Sequence, residues 1–248
     1  MTTFWKMAGR RETLWPMLGL SLATAASVGL VTARVIHTGN LRYTFLLWNL
    51  FLAWLPLILA LGACGAYHRA GQAAPWRRNW TFLGLGGAWL LFFPNAPYIL
   101  TDVIHLTARF SRHFWVDLVL ILLCAFTGLV LGFVSLYLMQ SVVARVFGRV
   151  VSWLFIGVVA ALSGFGVYLG RFLRFNSWDV IVKPKALWQG IGNWAADPFA
   201  HSTSYAFPLL FAIFLFVAYV MLYALTHLQQ LQPAPLAPDT QAARRPAA

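Results

Sequence analysis

The sequence predicts an all-α fold, a polytopic membrane helical bundle of about six transmembrane helices with the third interrupted by Pro94 and Pro97. Three observations predict it. Hydrophobic residues make up 60% of the 248 and charged residues only 10%, where a soluble domain carries about a quarter. The mean hydropathy is +0.72. Apolar runs of roughly 20 residues recur along the chain, the length that crosses a bilayer core about 30 Å thick.

The first span, Leu14–Ile36, follows Lys6, Arg10 and Arg11. Its apolar stretch exceeds the roughly 7–15 residues of a signal-peptide core, so it reads as a span. The others are Tyr43–Cys64, Trp80–Leu100, Phe114–Met139, Val150–Phe172 and Tyr205–His227. Around them the chain divides into a cytoplasmic segment 1–13, a transmembrane domain 14–228 with an interfacial outer loop 173–204, and a disordered cytoplasmic tail 229–248. The outer loop carries Trp178, Trp188 and Trp194 among scattered glycines, as a segment lying on a membrane surface does. The tail is rich in Pro and Ala. Cys64 and Cys124 both fall inside spans, which gives a structural disulfide little support.

An even number of spans puts both termini on one side. Ten cations share that side (Lys6, Arg10, Arg11, Arg69, Arg77, Arg78, Arg145, Arg149, Arg244 and Arg245) and eight lie opposite. Four of the six acids, Asp102, Asp117, Asp179 and Asp197, lie on the second side. The balance predicts cytoplasmic termini. Basic loops against anionic lipid account for the net charge of +12. No helix-turn-helix, zinc or RNA-binding signature is present, so no nucleic-acid partner is expected, and no motif calls for a cofactor.

The third span ends in "FFPNAPYILTDVIHL", Phe92 to Leu106. Counted from Trp80, Pro94 sits about 21 Å along the helix, in the outer third of the membrane. Each proline removes a backbone donor, and the freed carbonyls must find partners within the protein or in a watery cavity. Asn95 is placed to cap a restarted helix, on which Asp102 and His105 share a face. Neighbouring spans bring Asn49, Asp117, Arg171, Arg174, Asn176 and Asp179 to the same depth. Gly128 with Gly132, and Gly166 with Gly170, have the spacing that allows close helix contact.

"FFPNAPYILTDVIHL" and "YLGRFLRFNSWDVIVKP", with "WNLFLAWLP" and "FWVDL", resemble the hallmark stretches of the bacterial membrane-protein family called domain of unknown function 1361. The likeness runs from Leu41 to Met221. It implies a multi-pass inner-membrane protein of unassigned role. Its motif residues here are Asn49, Pro94, Asn95, Pro97, Tyr98, Asp102, His105, Asp117, Arg171, Arg174, Asn176, Trp178 and Asp179.

Three readings of these residues stay open. In the first, Asp102, Asp117 and Asp179 pair with Arg171 and Arg174 as a structural clasp of helix ends. In the second, Asp102 and His105 act as catalytic acid and base, the carboxylate setting the imidazole tautomer, on a lipid-linked substrate. The third is a transporter or lipid-handling protein built on a broken helix. The inner halves of the spans are nearly all apolar, which favours a one-sided outer-leaflet pocket over a through-path. In that pocket Arg171 and Arg174, oriented by Asp117 and Asp179, are expected to hold an anionic lipid headgroup or lipid phosphate. The spacing D-x2-H-x7-H-x3-D from Asp102 to Asp117 has the look of metal-ligand pairs, but Arg109 and Arg112 beside His113 disfavour a cation, and no metal is expected.

Overall fold

Inside a bilayer each backbone N–H and C=O needs a partner within the protein, so long apolar runs fold as helices. The computed structural model describes residues 11–70, 80–106, 113–196 and 202–227. They form α1 (Arg11–Thr38), α2 (Phe45–Ala70), α3 (Trp80–Phe92), a helical turn α4 (Asn95–Tyr98) and a 3-10 segment (Ile99–His105). There follow α5 (Phe114–Phe147), α6 (Arg149–Arg171), the turn α7 (Asp179–Val182), α8 (Pro184–Ala196) and α9 (Ser202–His227). Among the described residues there is no strand. Among the described residues six helices are long and apolar enough to cross a membrane, the third counted through its break as Trp80–His105.

The expected N-terminal segment falls outside the described residues except for the start of α1, and so do residues 197–201 of the outer loop and the tail 229–248. The orientation count rests in part on residues outside them too: Lys6, Arg10, Arg77, Arg78, Arg109, Arg112, Asp197, Asp239, Arg244 and Arg245.

α5 is the hub. It packs on α1, α2, α4, the 3-10 segment and α6, while α9 packs along α6. Accordingly 61% of its most apolar stretch is buried, against 17% for the first and last spans. Two apolar clusters follow from this arrangement. One joins α1, α2 and the first half of α5 through Leu46, Leu50, Leu57, Ile121 and Leu131. The other joins α3, α5, α6 and α9 through Trp89, Phe133, Ile156, Leu215 and Tyr219.

The fourth span is longer than expected. The apolar run weakens at Gln140, but the helix continues through Arg145 and stops only at Gly148, whose φ of +89° is open to a residue without Cβ. At about 1.5 Å per residue the 34-residue helix is roughly 51 Å long, more than a bilayer core.

The two glycine pairs do not bring helix against helix along their length. Both seat the break in the third span. A Cβ on Gly128 would stand 2.7 Å from the Ala96 carbonyl oxygen, and one on Gly132 would stand 3.0 Å from Ala96 Cβ. On the opposite side, a Cβ on Gly166 would stand 2.7 Å from Pro94 Cγ and one on Gly170 3.1 Å from Tyr98 Cε2. The segment Pro94–Tyr98 is thus wedged between α5 and α6 by four missing side chains.

Candidate functional site

The site grows from the break. α3 ends at Phe92, and the chain turns through Phe93 and Pro94. Pro97 cannot donate to the Phe93 carbonyl, which accepts the Ala96 N–H at 3.1 Å instead. Asn95 is not the expected cap. Pro94 occupies that position without a side-chain cap bond, and Asn95 Nδ2 donates across to Ser177 Oγ at 3.1 Å. Beyond Tyr98 the chain tightens to about three residues per turn, which stacks Ile99, Asp102 and His105 along one edge.

Asp102 is 1% exposed and is the centre of a clasp. Arg171 Nη2 donates to its Oδ1, and Asn49 Nδ2 donates to Oδ2 at 2.8 Å. The rest of the guanidinium is engaged as well. Nε and Nη2 donate to Thr101 Oγ1 at 2.9 and 2.6 Å, and the Thr101 hydroxyl donates to the Tyr98 carbonyl at 2.7 Å. Arg171 Nη1 stands 3.2 Å from His105 Nε2. The guanidinium carbon lies 4.5 Å from the Tyr98 ring centroid, a cation–π distance. One arginine at the end of α6 therefore ties the 3-10 segment and, through Asp102 and Asn49, α2.

The structure brings together Asn49, Tyr98, Asp102, His105 and Arg171, and it separates the others. Asp117, expected to orient an arginine of α6, instead pairs with Arg34 of α1: Nε donates to Oδ1 at 2.5 Å and Nη2 to Oδ2 at 3.2 Å. Tyr43 adds its hydroxyl at 3.1 Å. Asp179, the other expected support, is buried and accepts the Asn176 backbone N–H at 2.7 Å, which closes the turn before α7. Arg174 is exposed and pairs with no carboxylate among the described residues. Its φ of +59° is a left-handed turn that lets the Phe175 N–H return to the Leu169 carbonyl at 3.1 Å. The arginine pair expected as an anion clamp is therefore not built as a pair. His105 Nε2 stands 3.9 Å from Asp102 Oδ1, beyond a direct hydrogen bond, with the arginine closer. Of the metal spacing, Asp102 and His105 stay together, whereas Asp117 pairs with Arg34 and His113 packs edge-on to His37 at 5.9 Å, and no metal-holding group of acids, His and Cys occurs among the described residues.

Beside the clasp lies a cleft of about 440 Å³ between α2, α3, α4, α6 and the returning loop. Its body is apolar, made of Leu90, Leu91, Leu162, Phe165, Leu169 and Leu187. Its polar lining is Asn49, Asn95, Asn176, Ser177 and the Tyr98 ring that Arg171 holds. α8 helps to close it: a Cβ on Gly190 would stand 2.9 Å from Phe175 Cε2, and Trp194 packs at a tilt against Phe165 and stacks on Tyr205. None of Asp102, His105 and Arg171 lines the cleft. Their place is behind its wall.

Thr101, Ser177, Arg34 and Tyr43 are site residues that the sequence did not single out. Ser177 and Thr101 stand in the two hallmark stretches, next to Asn176 and Asp102. Arg34 and Tyr43 carry no such signal.

Compared with known proteins, the chain matches no curated protein and no solved structure. A family model described as protein of unknown function (DUF1361) matches residues 48–231. The matched stretch contains the whole of the clasp and the cleft lining, while Arg34 and Tyr43 precede it.

Proposed function

Since the chain belongs to the DUF1361 family, a group without an assigned role, we propose that it is a lipid-handling membrane protein that holds an anionic lipid or lipid-phosphate ligand in the cleft behind Pro94. The observation that carries this reading is the lining: an apolar body that also holds three carboxamides and a hydroxyl, with Asn95 bonded to Ser177 beside Asn176. An amphipathic molecule satisfies both halves, the chain against Leu90, Leu162 and Phe165 and the polar group on Asn49, Asn95, Asn176 and Ser177. The volume is in the range of small-ligand sites, about 300–1,000 Å³, and suits a headgroup with the first part of one chain. The negative charge is assigned to Arg174, which adjoins the lining residues Phe175 and Asn176 and has no acid partner among the described residues. The Asp102–Arg171 clasp positions the wall. By the charge balance, the cleft opens in the outer leaflet of a bacterial inner membrane, opposite cytoplasmic termini.

The test is the lipid retained by the protein purified in mild detergent, read by native mass spectrometry. Wild type is expected to keep about one anionic lipid per chain. Asn95→Leu should lose it by removing a polar lining group and its bond to Ser177. Arg174→Gly relieves the left-handed backbone, so it keeps the fold while removing the charge, and it should lose anionic lipid in favour of neutral lipid. Equal retention and equal lipid class in all three proteins defeats the reading.

A further inference from the structure

The clasp holds two parts of the cleft wall at once, and its most exposed charged or titratable member is a histidine. Asn49 lines the cleft from α2 and donates its amide to Asp102. Tyr98 lines it from the break, with its ring against the Arg171 guanidinium. The side chains of Asp102 and Arg171 are nearly sealed, at 1% and 12% exposed, whereas that of His105 is 43% exposed. The imidazole is therefore where protons from water reach the clasp.

The contact of Arg171 Nη1 with His105 Nε2, at 3.2 Å, is a hydrogen bond in one protonation state alone. A guanidinium carries five N–H donors and no acceptor, and it keeps its proton in proteins. Nε2 must then offer its lone pair, which makes the imidazole neutral with its proton on Nδ1. An imidazolium has no lone pair to offer. It would stand as a second cation 3.2 Å from the first. The anion beside it, Asp102 Oδ1 at 3.9 Å, is the oxygen that Arg171 already uses. Protonation thus removes a bond from Arg171 and creates a rival for its carboxylate.

The surroundings of His105 leave these groups to decide its charge. Its own segment presents Asp102, α6 presents Arg171, and the Tyr98 ring lies against that arginine. From α2 the Phe45 ring meets the imidazole edge-on at 5.0 Å and exchanges no proton. α5, which also packs on the segment, carries the buried thiol of Cys124 in the apolar cluster with Ile99, and Asp117, which Arg34 and Tyr43 hold. Arg109 and Arg112 lie outside the described residues.

We propose that the clasp is a proton-operated latch on the cleft, in which neutral His105 keeps Arg171 seated and protonated His105 loosens it, slackens the Tyr98 and Asn49 walls and releases the bound anionic lipid. The release step rests on the cleft being the lipid site. Because the neutral imidazole is the form that accepts from Arg171, the grip is full at high pH and is lost as the pH falls.

The experiment measures binding of phosphatidylglycerol, whose phosphodiester stays ionised throughout, to delipidated protein in neutral detergent. It is run at about pH 8 and about pH 5.5, across the range where imidazole ordinarily changes charge, and the melting temperature is read at each pH without added lipid. Wild type should bind about tenfold more weakly at the lower pH, the scale of one hydrogen bond to a charged group, and should melt lower there. His105→Gln keeps an acceptor for Nη1 but does not titrate, and it should flatten both profiles. His105→Leu removes the acceptor at every pH and should bind at the acid level of wild type throughout. A pH response in His105→Gln as large as that of wild type would overturn the latch. Lipid binding by wild type at neither pH would instead defeat the lipid reading and the release step with it, and the melting profiles of wild type and His105→Gln would still decide whether His105 works the clasp.

Discussion

Replacing Arg171 by Met keeps the volume of the side chain but leaves Asp102 a lone carboxylate, 1% exposed, with Asn49 as its remaining donor. It also frees Thr101 and His105 and removes the cation from the Tyr98 ring. Breaking one side of a buried ion pair costs about 3–5 kcal/mol, and both side chains here are largely buried, at 12% and 1% exposed. Arg171→Met should therefore lower stability by about that amount. Asp102→Asn retains an acceptor for Arg171 and should cost less, about 2 kcal/mol. In the double variant no uncompensated charge remains, and the total should fall below the sum of the single losses by about 2 kcal/mol or more. Arg171→Lys keeps the charge but cannot reach Thr101, Asp102 and His105 as a planar fork, and should cost about 1–2 kcal/mol. The assay is equilibrium unfolding in mixed micelles, followed by tryptophan fluorescence, with a complete double-mutant cycle. Single losses below about 1 kcal/mol, or strict additivity, would refute the clasp.

Gly128→Ala places a methyl group 2.7 Å from a backbone oxygen of the wedge and should destabilise by about 1–3 kcal/mol as an overpacked site. Gly157→Ala meets nothing within 4 Å and should be neutral or stabilise by up to about 1 kcal/mol; similar effects from the two in thermal unfolding would contradict the wedge. Asp117→Asn leaves the Arg34 fork in place without its charge partner, with Nη1 already buried and unpartnered among the described residues. A loss of about 3 kcal/mol is expected, against about 1.5–3 kcal/mol for Tyr43→Phe, which removes one hydrogen bond to a carboxylate. Stability unaffected by Asp117→Asn would show that this pair does not anchor α1.

The third-span break was legible because proline has a local consequence: Pro94 and Pro97 disrupt the ladder wherever the chain goes. The stacking of Asp102 on His105 was legible for the same reason, since short-range spacing determines it. Partner choice was not. Arg171 and Arg174 are three residues apart on paper, but α6 ends between them, and the left-handed turn at Arg174 carries it away from the clasp. Asp117 was assigned to the nearest motif arginines, whereas its partner Arg34 comes from α1, 83 residues away. Asn95 looks like a cap by local rules, and it is turned to Ser177 only because the loop after α6 folds back over the break. The glycine spacings announced close packing. That the packed object is a proline wedge depends on three elements meeting, which periodicity along one helix does not encode.

The central claim is that the cleft behind Pro94 is a lipid site, and Gly87 gives direct access to it. Gly87 lines the cleft, and a Cβ added there meets nothing within 4 Å. Gly87→Phe therefore fills the cavity with a ring while leaving the wedge and the clasp untouched. Native mass spectrometry of wild type and Gly87→Phe, purified in parallel and matched for thermal stability, reads the outcome as bound lipid per chain. The account predicts about one retained lipid in wild type and none at this site in the variant; equal lipid in both proteins would contradict it.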